Sequence, residues 1–144
     1  MTISEVQDEI IDEFSILEGD RESTIFYIME VGQKLPEFDE ASRIEDNIIK
    51  GCQSKVWLTA KMEDEKVYFS ADSNTDITKG LISFLIRILN GRAPKEIRDA
   101  DLYFFQKIGM NNLIGSQRSN GFAMMIKQMK MYALAFETQL ANKN

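Results

Sequence analysis

One stretch of strict alternation, with Val56, Leu58, Ala60 and Met62 set against Lys55, Trp57, Thr59 and Lys61, sits between segments whose apolar residues recur at helical spacing. A period of two puts every second side chain on the same face of an extended chain, so this stretch reads as a half-buried strand. Glu63-Asp-Glu65 supplies a turn, and Lys66 to Ala71 returns as the second strand of a hairpin. Asn47 to Lys50 is short enough for a third, edge strand. So small a sheet has to bury its apolar face under helices. The expected fold is therefore a single α+β domain over residues 1–144, with a small antiparallel sheet of about three strands packed with helices.

The helices are read from spacing and punctuation. Val6, Ile10, Phe14 and Leu17 share one face of a helix over residues 4 to 18, with Ser4 as its N-cap and Gly19 as its stop. A second helix, over residues 21 to 34, turns Ile25, Ile28, Met29 and Gly32 inward. It ends near Leu35-Pro36, because proline disfavours helical geometry in the residue before it. Thr75 or Asp76 caps a run from Ile77 to Leu89 that is apolar on most sides and so belongs in the interior. Pro94 fits the first turn of a short helix, and Leu102-Tyr-Phe-Phe105 belongs to another before Gly109. The last helix spans Asn120 to Ala141, with Met124, Met125, Met129 and Met131 as adaptable core packing.

A chain of 144 residues can bury an ordinary core without disulfide or metal staples. Here it must, because Cys52 is the only cysteine and there is no histidine. That composition excludes an internal disulfide, a tetrahedral Cys/His zinc site, an iron–sulfur cluster held by this chain alone, and a Cys–His nucleophile pair. The net charge of −6 argues against nucleic acid, whose phosphates need clustered Lys and Arg. Glu5, Asp8, Glu9, Asp12 and Glu13 read as a solvated helix face. No apolar run reaches about 18 residues, and the acidic N-terminal stretch lacks the basic and apolar regions of a signal peptide. The expectation is a cytoplasmic protein without a membrane partner, in a compartment that keeps Cys52 reduced.

Gly51 lets the backbone turn tightly, so Cys52 can stand at a loop tip. Ile48, Ile49, Val56 and Trp57 surround the loop with bulk, which predicts an apolar recess for the thiol. Such a site raises a thiol's pKa despite Lys50 and Lys55 nearby in sequence. Chemically, one cysteine suffices to carry sulfur as a persulfide: its thiolate attacks the outer sulfur of a donor persulfide and the donor thiolate leaves. A second thiol nearby would attack the loaded sulfur and release sulfide. The lone thiol therefore suits a carrier better than an oxidoreductase, which normally uses a Cys-x-x-Cys pair.

The segment Gly51-Cys-Gln-Ser-Lys-Val-Trp57 resembles the cysteine segment of the SufE family of sulfur-acceptor proteins. Tyr27-Ile-Met-Glu-Val-Gly-Gln-Lys-Leu-Pro-Glu37 resembles its second helix and the turn that ends it. Asp72-Ser-Asn-Thr-Asp-Ile-Thr-Lys-Gly-Leu-Ile82 resembles the entry to its long helix, and Ser116-Gln-Arg-Ser-Asn-Gly121 its Ser-Arg-x-x-Gly segment. These matches run in the family's order, over roughly residues 5 to 137.

The resemblance implies a fold shared with IscU-type scaffolds and a carrier role for Cys52. It implies a pyridoxal-phosphate-dependent cysteine desulfurase as donor, SufS-like or CsdA-like, which the chain stimulates, and an iron–sulfur scaffold complex as receiver. The pyridoxal phosphate belongs to the desulfurase, and no cofactor is expected in this chain. By the same resemblance Arg118 lies near the cysteine and stabilises an anion there, although Gly115-Ser-Gln-Arg118 replaces the family's Thr-Pro-Ser-Arg. Gln53 and Ser54 match as turn hydrogen bonders and Trp57 as packing, while Asp72 and Lys79 match positions with ordinary structural explanations. SufE-like and CsdE-like acceptors share these features. A cluster scaffold would need several ligands converging on iron, and a peroxidase or thiol hydrolase would need a histidine or a charged activation motif. An allosteric desulfurase-activating module would use Cys52 only as packing.

Overall fold

A computed structural model describes residues 1–143. Helix α1 (Ile3–Ser15) begins at Thr2 rather than Ser4. The Thr2 hydroxyl accepts from the Glu5 N–H at 3.0 Å and the Glu5 carboxylate accepts from the Thr2 N–H at 2.9 Å, a reciprocal cap that satisfies two end donors. Its inner face is Val6, Gln7, Ile10 and Phe14. Asp20 caps α2 (Arg21–Gln33), which stops just short of Leu35-Pro36. Thr24, Ile28 and Gly32 are buried, whereas Ile25 and Met29 are only partly so.

Strands β1 (Val56–Glu63) and β2 (Lys66–Ser73) pair antiparallel, from Val56 opposite Ser73 to Glu63 opposite Lys66. Asp64 and Glu65 turn the hairpin with φ of 51° and 63°, the left-handed pair that matches the twist of the strands. The expected third strand is not a strand. Residues Glu45–Asn47 form a single 3-10 turn, and Ile48 makes one isolated bridge to Trp57 before Gly51, at φ 91°, swings the chain away. The sheet thus has two strands among the described residues.

Helix α3 (Asp76–Leu89) fills the centre, with Leu81, Ile82, Phe84, Leu85, Ile88 and Leu89 almost without exposure. It packs on α2 backbone to backbone. A Cβ on Gly80 would lie 2.0 Å from the Ile28 carbonyl oxygen, and one on Gly32 would lie 2.6 Å from that of Asp76. Three short helices follow, α4 (Pro94–Asp99), α5 (Phe104–Ile108) and α6 (Met110–Ile114), the last two joined at Gly109 with φ 77°. The long α7 (Ser116–Asn142) closes the domain and starts at Ser116, earlier than Asn120. Met125 and Met129 enter the core as expected, but Met131 is 54% exposed and Met124 only partly covered. A run of aromatic contacts ties the helices together, from Phe14 against Tyr27 and Phe84, through Phe104, to Phe122 stacked on Phe105 at 4.2 Å.

The segment after α2 folds back over the outer face of the sheet. Arg43 pairs with Asp72 and places its guanidinium 5.5 Å from the Phe38 ring centre and 5.4 Å from that of Trp57. Lys79 approaches the other Asp72 oxygen at 3.3 Å. Burial works against the Asp72 charge, but the Ser73 N–H, Arg43 and Lys79 outweigh it and hold the carboxyl below its ordinary range. Trp57 is therefore a partly buried residue under Arg43 on the outer face of the sheet, with its indole N–H buried and without a hydrogen-bond partner among the described residues. Among the described residues no helix is long and apolar enough to cross a membrane.

Candidate functional site

The cysteine loop is pinned at its base. The Ile49 N–H donates to the Val56 carbonyl at 2.8 Å, and Lys55 exchanges bonds with Asn74: its N–H donates to Oδ1 at 3.0 Å and its carbonyl accepts from the Asn74 N–H at 3.2 Å. The Ser73 hydroxyl adds a bond to the same carbonyl at 2.7 Å. Between these ties the left-handed turn at Gly51 points Cys52 back toward α7. Its S–H donates to the Gly121 carbonyl at 3.5 Å. Gly121 lies directly against the cysteine: a Cβ there would make ordinary van der Waals contact, 3.5 Å from Sγ and 3.8 Å from the Cys52 Cα and Cβ.

Cys52 is partly buried and stands between two hollows. The inner one is a cavity of about 140 Å³ whose lining joins Cys52 and Ser54 of the loop to Thr75, Thr78 and Leu81 of α3 and its N-cap, and to Arg118 and Met125 of α7. The outer one, more open and about 290 Å³, is lined by Gly51, Cys52, Gln53, Gln117 and Asn120. The recess expected from Ile48, Ile49, Val56 and Trp57 is corrected in its walls: those side chains do not line the inner cavity, whose apolar members come from the helices. Ile48 and Ile49 instead border a separate hollow of about 280 Å³ with Lys50 and Met124. The reason is the bridge at Ile48, which turns these residues along the sheet, away from the thiol.

Of the residues singled out from sequence, the fold brings Cys52, Gln53, Ser54 and Arg118 to one cavity, places Gly51 at its outer rim, and leaves Trp57 elsewhere. Two that sequence reasoning does not single out for the site, Thr75 and Thr78, are there as well. The Ser54 and Thr75 hydroxyls lie 3.0 Å apart, and Thr75 Oγ1 donates to Thr78 Oγ1 at 2.8 Å. In the sequence Thr75 reads only as a helix cap, yet its side chain caps no backbone N–H of α3.

Two influences oppose each other at the sulfur. Burial pushes the Cys52 thiol above its ordinary pKa. Against this, the first turns of α3 and α7 both contribute to the cavity, and neither helix has a side-chain cap. Uncapped N-termini carry partial positive charge and favour an anion by about 0.3–1 kcal/mol each. Arg118, exposed to solvent, places a positive charge in the wall of the same cavity. Burial thus keeps the thiol protonated at rest. No group of three or more Cys, Asp or Glu placed to hold a metal ion occurs among the described residues.

The family model described as "SufE: Fe-S metabolism associated domain" matches residues 8–133. An uncharacterized SufE-like protein of Rhizobium meliloti is 38% identical over 131 residues, which cover 88% of this chain and 93% of that protein. One from Rhizobium etli is 36% identical, covering 85% and 86%, and one from Synechocystis is 38% identical, covering 74% and 67%. The solution structure of a hypothetical protein from Thermus thermophilus superposes with a TM-score of 0.75 over 92% of this chain and 96% of that one. At 17% identity this last likeness speaks for the fold alone.

Proposed function

This chain belongs to the SufE family, and from that premise we propose that it is a sulfur acceptor and carrier: it docks on a pyridoxal-phosphate-dependent cysteine desulfurase, takes sulfur onto Cys52, and hands it on for iron–sulfur cluster assembly. The observation that carries the reading is that the only cysteine of the chain shares a cavity with Arg118, at the meeting of two uncapped helix N-termini. That is an arrangement for holding a sulfur anion, not for redox cycling between thiols.

In the transfer step the Cys52 thiolate attacks the outer sulfur of the donor's persulfide. The donor's S–S bond breaks, its cysteine leaves as thiolate, and a new S–S bond forms on Cys52 with no net oxidation. Draining the donor's persulfide raises desulfurase turnover. The open side of the site, at Gly51, Gln53, Gln117 and Asn120, is where an incoming persulfide reaches the thiol. Arg118 then balances the charge of the loaded sulfur. The donor is of the SufS or CsdA type and the receiver an iron–sulfur scaffold complex, in a reducing cytoplasm.

Intact-protein mass spectrometry tests this directly, without reductant, after mixing the chain with its organism's cysteine desulfurases and free cysteine. The expected result is a gain of one or more sulfur atoms, reversed by reductant and absent in Cys52→Ser. Stimulation of the desulfurase should vanish in the same variant. Stimulation that survives Cys52→Ser, with no mass gain in the wild type, would replace the carrier by an allosteric activator.

A further inference from the structure

The hydroxyl chain in the inner cavity has a direction. Each Ser or Thr hydroxyl has one proton to give. Thr75 gives its proton to Thr78, so the contact between Ser54 and Thr75 must be donated by Ser54. The proton left over is that of Thr78, which is only 6% exposed and whose hydroxyl donates no hydrogen bond to any described residue. A buried O–H donor without an acceptor costs free energy, and donors in series polarise one another toward the free end. That end lies in the cavity shared with Cys52 and Arg118.

Resting on the carrier reading, we infer that the Thr78 hydroxyl, fed by Thr75 and Ser54, donates a hydrogen bond to the terminal sulfur of a persulfide on Cys52 and so holds that sulfur in the inner cavity rather than the outer groove. Space permits it: the cavity measures about 140 Å³, against roughly 30 Å³ for a water molecule in the liquid. Sulfur turned inward sits under Gly121, between α3 and α7, and is shielded from small nucleophiles in solvent until the loop presents it to a receiver. Thr78 binds the sulfur in this scheme, while Ser54 and Thr75 are positioning residues that act through it. The only charged side chain in the lining is Arg118, so the acceptor the hydroxyl meets is an anion already partly neutralised.

Cyanolysis measures the shielding. Cys52 is loaded with inorganic polysulfide, in which an S–S bond breaks and a shorter polysulfide leaves as Cys52 gains one sulfur. Cyanide then removes the outer sulfur as thiocyanate and returns the Cys52 thiol. Thr78→Val keeps the shape of the side chain and deletes the donor, and should lose sulfur about three- to tenfold faster than wild type, the range expected for one hydrogen bond. Thr78→Ser should restore the slow rate, and both variants should unfold cooperatively with melting temperatures above that of the assay. Thr78→Val that loads fully and is cyanolysed at the wild-type rate would overturn the inference while leaving the carrier reading intact. Wild type that takes sulfur neither from polysulfide nor from desulfurase would overturn both.

Discussion

At Cys52 the balance in the resting protein lies with desolvation, and its sign can be checked. Burial raises the folded thiol's pKa, so folded protein keeps a proton that unfolded protein loses as pH climbs through the ordinary thiol range near 8.5. Stability contributed by the protonated thiol is complete below that range and declines as pH rises through it toward the folded value. The expected outcome is that iodoacetamide modifies native protein more slowly at pH 8 than it modifies the same chain in urea. The pH–rate curve of the native protein should also be displaced to higher pH. Stopped-rate labelling read by mass spectrometry gives both curves. A native thiol that reacts faster than the unfolded one at neutral pH would mean that Arg118 and the two helix termini already dominate without a sulfur load.

Among the elements, the contact that positions the site is the crossing of α2 and α3, because the start of α3 carries Thr75 and Thr78 into the cavity. Gly32 and Gly80 let the two backbones touch, and the obstacle to a larger residue at 80 is the Ile28 carbonyl, which cannot rotate away as a side chain would. Gly80→Ala should therefore cost about 2–3 kcal/mol despite alanine's better helix propensity, the usual scale for overpacking. Urea denaturation of the variant measures it, and a stabilised Gly80→Ala would show that the helices are free to separate. Much of this is readable in the sequence. Gly32 falls on the inner face of its helix by spacing, Pro36 marks the end, and the alternation from Val56 sets the hairpin and its turn. What is not readable has physical causes. Ser116 to Asn120 has no apolar residue and so no periodicity, yet helical bonds form there, with the Ser119 N–H donating to the Gly115 carbonyl at 3.1 Å. Asn47–Lys50 has strand-like residues but forms only one isolated bridge, at Ile48, with the Ile49 N–H on the Val56 carbonyl. Arg118 is found through family resemblance. Thr75 and Thr78 carry no local mark, because a threonine in a first turn is equally suited to capping.

At the scale of the whole molecule, one apolar core joins every helix to the hairpin, from Ile10 of α1 through α3 to Met129 of α7. A core of this kind unfolds as a unit. The cysteine loop is tied to it differently: its backbone bonds are at the base, through Ile49, Lys55 and Asn74, and Cys52 itself is held by the long S–H contact to Gly121. Opening that loop breaks few bonds and exposes little core, so it belongs to the low end of the range of local stabilities. Trp57 reports the other behaviour, since its ring is packed with Arg43 against the sheet that spans the core. Trp57 fluorescence and far-ultraviolet circular dichroism should lose their native signals at one common urea midpoint. Thiol labelling of Cys52 should instead proceed at low urea with a rate almost independent of denaturant, and rise steeply only in the global transition. A labelling rate that extrapolates to the global unfolding line in the absence of urea would mean that the thiol is released only when the entire domain unfolds. That behaviour is incompatible with a carrier that must present its sulfur while folded.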